Sequence, residues 1–179
     1  MVFGLFRKRE NPAVREIYAA IVAQARQPHF YARLRVPDTV DGRYELIMLH
    51  AILLFYRLRR ESEEASGFGQ AVFDLFFQDM DRSLREMGIS DTRVPKKITR
   101  MAEMFYGRAS VYADALDGGD HDALVMAVDR NFFPEASDPV AASAIAAYMR
   151  KSVGVLAETP VSTFIGGKIR WADPAAFDV

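Results

Sequence analysis

Apolar residues recur at helical spacing through nearly all of the chain between Pro12 and Glu158, and no strictly alternating run bounded by hairpin turns interrupts them. The pattern predicts an all-α fold, a single-domain bundle of about six helices. Asn11 before Pro12 is an N-cap followed by a first-turn proline, and Val14, Ile17, Tyr18, Ile21 and Val22 carry the first helix toward Pro28. A connector over residues 30–40 follows. Asp41 is then expected to cap a helix running to about Glu61, apolar on nearly every face from Leu46 to Leu58, which places it mid-bundle. Ser66-Gly67 reads as punctuation before a third helix. Its stripe of Phe68, Val72, Leu75, Phe76, Met80, Leu84 and Met87 opposes Asp74, Gln78, Asp81 and Arg85, and it stops at Gly88.

Pro95 sits at the start of the most regular helix, whose seam of Ile98, Met101, Ala102, Phe105, Ala109, Tyr112, Ala113 and Leu116 ends at Asp117-Gly118-Gly119. Asp120 caps a short helix through Leu124, Val125 and Val128. Asp138-Pro139 opens a last long one through Ile145, Tyr148, Met149, Val153 and Leu156. From Thr159 the period is lost, leaving an irregular tail with Phe164, Ile165 and Trp171 as candidate anchors. The expected organisation is an N-terminal segment (1–11), a helical domain (12–158) and a C-terminal tail (159–179) packed on the domain or partly disordered.

Composition narrows what such a bundle does. At 179 residues, half of them hydrophobic, the chain is long enough to bury a core without staples. No cysteine is present, which excludes disulfides, thiolate metal sites and cysteine nucleophiles together. A formal net charge of −1 gives no global field toward nucleic acid, so DNA is not an expected partner. The longest apolar stretch, Leu46 to Tyr56, is broken by His50 and is shorter than a membrane span. The opening Phe3, Leu5, Phe6, Arg7, Lys8 and Arg9 run reverses the order of a secretory signal. A bacterial cytoplasmic protein is the simplest expectation, and the basic start leaves open a weak peripheral contact with the inner membrane.

Candidate chemistry is sparse. His29, His50 and His121 lie in three settings, none forming an i, i+4 metal pair. His50, within the most apolar helix, is a candidate haem ligand, but a lone histidine there is more often a hydrogen-bonded core residue. Asp74, Asp79 and Asp81, with Glu45, raise a carboxylate metal site. No Glu-x-x-His accompanies them, and Asp81 with Arg85 and Arg82 with Glu86 have the spacing of i, i+4 ion pairs on a solvated face. Gly67-Phe68-Gly69 lacks the third glycine and the strand of a phosphate loop.

One feature runs against local physics. Arg93, Lys96, Lys97 and Arg100 surround the start of the helix at Pro95, where the macrodipole and free N–H groups favour anions. Either Asp91 and Glu86 compensate them, or an acidic or phosphate partner such as ribosomal RNA does.

Two stretches carry a resemblance. The first runs from Phe30-Tyr31 through Val36-Pro37-Asp38-Thr39-Val40-Asp41-Gly42-Arg43-Tyr44-Glu45-Leu46 to Leu49-His50 and Arg57-Leu58. The second runs from Phe73-Asp74-Leu75-Phe76 through Asp79-Met80-Asp81, Leu84-Arg85-Glu86-Met87-Gly88-Ile89-Ser90-Asp91 and Val94-Pro95-Lys96-Lys97, to Met101-Ala102-Glu103, Phe105-Tyr106-Gly107-Arg108 and Tyr112-Ala113-Asp114-Ala115-Leu116. Together they resemble the ubiquinol–cytochrome c chaperone family, over most of the interval from Phe30 to Leu116. The resemblance implies a helical, non-catalytic protein without a cofactor that binds newly made cytochrome b and assists biogenesis of the bc1 complex. It also implies a small helical co-chaperone and the ribosome as partners to consider. It supplies no catalytic residues. A chaperone of a membrane protein needs an apolar surface, and Phe73 and Phe77, flanking the main stripe of the third helix, are the candidates. The competing readings are a haem- or metal-binding bundle through His50 and the aspartates, and a ribosome- or membrane-surface adaptor through the basic residues.

Overall fold

The computed structural model describes residues 11–179, and the N-terminal Phe3 to Arg9 run lies outside them. Asn11 caps α1 (Pro12–Ala25), its side chain accepting the Ala13 N–H at 3.0 Å. A five-residue α2 (Pro28–Ala32) then occupies part of the expected connector, ordered by Pro28 at its first position and by Phe30, which is fully buried. Helix α3 (Val40–Leu58) begins two residues earlier than expected. Its cap is Thr39, which accepts from Gly42 N–H at 3.1 Å, while Asp41 sits in the first turn against the helix dipole. A methyl group on Gly42 would lie 2.0 Å from the Pro37 carbonyl oxygen, so only glycine fits this entry into α3.

Helix α4 (Glu63–Glu86) starts at Ser62, whose hydroxyl accepts from Ala65 N–H, with Glu63 and Glu64 in the first turn. Ser66 and Gly67 therefore lie inside the helix, the cap and acidic first turn outweighing the glycines at 67 and 69. The helix ends at Gly88 with φ +82°, the left-handed residue that glycine adopts freely. Helix α5 (Val94–Asp117) returns beside it. Helices α6 (His121–Phe132) and α7 (Pro139–Glu158) are capped by Asp120 and Asp138, as their sequences predict. The tail is less irregular than expected. It contains α8 (Val161–Ile165), with Phe164 fully buried, and a 3-10 turn at Pro174–Ala176.

Among the described residues the fold is all helical, six longer helices and two of five residues. Helix α3 is the axis, packed by α1, α4, α5, α6 and α7. Arg57 near its end donates to Leu156 O at 2.8 Å and Thr159 O at 3.2 Å, satisfying carbonyls that α7 leaves open at its C-terminus. Helix α7 is long and apolar enough to cross a membrane by length and composition, unlike the Leu46 to Tyr56 stretch. In this fold it is a core helix, with Ala141, Ala142, Ile145, Ala146, Tyr148, Met149, Ser152 and Leu156 buried.

His50 is fully buried on α3. Gln24 donates to the Tyr148 hydroxyl at 3.1 Å, that hydroxyl donates to His50 Nε2 at 2.7 Å, and His50 Nδ1–H donates to Leu46 O at 2.7 Å. Both ring nitrogens are engaged inside the core, and burial holds the imidazole neutral, its pKa lowered to about 4. It is a satisfied core residue, not an open ligand position. Trp171 and Phe30 meet its ring edge-on, with centroids at 4.8 and 5.7 Å.

Candidate functional site

The stripe of α4 divides between core and surface. Phe68 and Phe76 are buried, whereas Phe73 and Phe77 are only partly so. Phe73 packs on Phe55, Phe77, Phe105 and Tyr106 with ring centroids 4.6–5.8 Å apart, and Tyr106, on α5, is 60% exposed. These tilted and edge-to-face contacts join α3, α4 and α5 into one aromatic cluster that reaches the surface at Phe73, Phe77 and Tyr106.

Beneath it, Arg108 crosses from α5 to Glu45 on α3, a 2.7 Å ion pair with both side chains largely buried. Burial pushes the Glu45 carboxyl up to about 7, with Arg108 opposing. Tyr44 stacks on Phe76 at 5.8 Å, and Tyr112 accepts from Asn131 at 2.8 Å. The Tyr44 hydroxyl and Arg108 Nε are buried without hydrogen-bond partners among the described residues. Arg108 belongs to a motif and Glu45 to the carboxylates in sequence, but 63 positions separate the two and local spacing carries no signal of their pairing.

Beyond Phe76 on α4, and before Phe105 on α5 apart from Val94, no residue is fully buried, so the distal halves of the two helices form a lightly packed hairpin. Its apolar residues include Met80, Met87, Met101 and Met104, flexible side chains that adapt to varied partners. Asp74, exposed, accepts from Gln70, and Asp79 accepts from Tyr18 at 2.8 Å. Asp81 pairs with Arg85 at 2.6 Å, as its spacing predicts. Arg82 pairs with Asp79 instead of Glu86, since an acidic residue N-terminal to its basic partner is the better order along a helix. Asp38 and Arg43 join at 2.7 Å across the entry to α3, which holds the Asp38 carboxyl below its usual range. Gly107 is exposed, with open space where a side chain would go.

At the hairpin tip, Arg93, Lys96, Lys97 and Arg100 are all exposed. The expected compensation does not form: Asp91 is taken by Arg85, and none of the four cations has an ion-pair partner among the described residues. A cleft of about 370 Å³ between α1 and α4 is lined by Arg15, Tyr18, Gln78, Asp79 and Arg82, the last two paired with each other.

Fold and surface together define an all-helical bundle that presents an aromatic face and a cationic hairpin tip. The chain belongs to the family described as Ubiquinol-cytochrome C chaperone, whose model matches residues 32–171. It is similar to ubiquinol-cytochrome c reductase complex assembly factor 1 of Mus musculus, 23% identical over 161 residues, which are 89% of this chain and 54% of that one. The Xenopus laevis protein is 22% identical over 145 residues, 80% of this chain and 72% of its own. The chain thus spans about half the length of the mouse relative. The crystal structure of the Cbp3 homolog from Brucella abortus is 39% identical with a TM-score of 0.87, covering 94% of this chain and 93% of that one. The match runs well past Leu116, where the resemblance in sequence fades, through α6 and α7 to Trp171. Those helices contribute mostly interchangeable buried aliphatic and alanine residues, with few ordered polar positions to recognise.

Proposed function

We propose that this protein binds newly made cytochrome b and holds it during assembly of the bc1 complex, without catalysing a reaction. The observation that carries the reading is the aromatic face of Phe73, Phe77 and Tyr106, apolar surface offered beside lightly packed, methionine-bearing helices. A client made of membrane helices needs such a surface before its own partners arrive. Family membership, the assembly-factor relatives and the Cbp3 homolog support it. A cytoplasmic site of action at the inner membrane follows from that client, with a small helical co-chaperone or the ribosome as further partners.

A photo-crosslinking residue at Phe77 or Tyr106 in living cells is expected to give an adduct with cytochrome b. The same probe at Met126 or Val140, exposed apolar positions on α6 and α7, is expected to give none. Deleting the gene should deplete assembled bc1 complex and spare other respiratory complexes. Unchanged bc1 levels would sink the reading.

A further inference from the structure

Arg93, Lys96, Lys97 and Arg100 are spaced i, i+3, i+4 and i+7, so they form one stripe along two turns of α5. Like charges at this spacing repel, and the N-terminal dipole disfavours Arg93, Lys96 and Lys97 around the first turn. No ion pair among the described residues offsets the stripe. Five basic residues against two acidic ones lie between Arg85 and Arg100, in a chain whose formal net charge is −1. Met87, one residue past the end of α4, is 59% exposed at the same tip.

We propose that the α4–α5 hairpin tip docks on an anionic lipid surface, the four cations against headgroups and Met87 at the apolar boundary. Cations in a row with an exposed apolar side chain are the pattern of an interfacial membrane contact. Single-stranded RNA would also take the charge, but its bases need an aromatic platform. Tyr106 is the exposed aromatic of α5, and thirteen residues of helix set it about 20 Å from Arg93. Lipid docking would hold the aromatic face near a membrane, where the proposed client is inserted; the docking itself does not depend on that client.

The test is co-sedimentation of the full chain with phosphatidylcholine vesicles, with and without phosphatidylglycerol. Binding is expected only to the anionic vesicles and is expected to weaken with salt. The variant R93Q/K96Q/K97Q/R100Q should lose about a thousand-fold in affinity, and Met87→Ser about tenfold. Relief of like-charge repulsion should leave the quadruple variant's Tm no lower than the parent's, so a loss of binding is not a loss of fold. Failure of the parent to bind anionic vesicles overturns the proposal. Equal vesicle binding by parent and quadruple variant also overturns it, whatever the four cations do to binding of a poly(U) RNA measured alongside. Neither result touches the crosslinking test of the client.

Discussion

Helices α3 and α4 pack against each other, yet twelve of the nineteen residues of α3 are buried and only five of the twenty-four of α4. Helix α5, equally long, buries four. The burial of α4 ends at Phe76 and that of α5 resumes at Phe105, so the hairpin is anchored at one end and lightly held at the other. Stability therefore concentrates where α1, α3 and α7 enclose His50, and the hairpin has little apolar burial to resist local opening. A helix buried on every side can do little but support the fold. A half-buried hairpin keeps apolar and charged surface for something else.

The strongest way to break this division is at the Glu45–Arg108 pair, which ties the hairpin's base to α3. Glu45→Met leaves the Arg108 charge largely buried and unpaired, and is expected to cost about 3–5 kcal/mol in denaturant unfolding at pH 8. The double variant E45M/R108M should recover most of that, since a buried pair is often replaceable by apolar residues of similar size. A single-variant loss below about 1 kcal/mol would show that the tie is not structural.

The packed base is probed by pH. The folded state holds His50 at about 4 against an ordinary 6.5, so between those values the unfolded chain takes up a proton that the folded chain resists. Its contribution is fully present above pH 6.5 and is lost as pH falls toward 4. Glu45, raised from 4.5 to about 7, titrates with the opposite sign: stability falls as pH rises through that range. Comparing wild type with His50→Gln cancels the Glu45 contribution. The stability gap between them should shrink by about 3 kcal/mol from pH 6.5 to pH 4. A constant gap would mean that the imidazole is not held neutral by the core.

Local chemistry was legible where it stayed local. Asn11, Asp120 and Asp138 cap the helices expected of them, and Asp81 meets Arg85 one turn away. Competing local signals misled at two places: Thr39 outcompetes Asp41, and Ser62 with its acidic first turn carries α4 through Ser66 and Gly67. Long-range facts had no local signature. Glu45 finds Arg108, Gln24 finds Tyr148, and Phe164 in the aperiodic tail reaches the core, each across more than sixty positions or through a five-residue helix. Phe73 and Phe77 flank the stripe in sequence, but how far the core covers them depends on where α5 crosses.

Two of the motif glycines, Gly42 and Gly107, sharpen the comparison to a difference of sign. At Gly42, in the packed base, an added methyl meets the Pro37 carbonyl oxygen at 2.0 Å, and Gly42→Ala should cost about 2 kcal/mol as the α3 entry shifts. At Gly107, on the exposed side of α5, an added methyl meets nothing within 4 Å. Gly107→Ala should instead raise stability by about 1 kcal/mol, because alanine replaces glycine in a helix interior. The fold of the isolated chain thus gives no reason for glycine at position 107. If the more stable Gly107→Ala protein lowers bc1 levels in cells, the glycine serves the close approach of a partner's backbone beside Tyr106. If bc1 levels hold, Gly107 lies outside the contact, and the client surface narrows to Phe73, Phe77 and Tyr106.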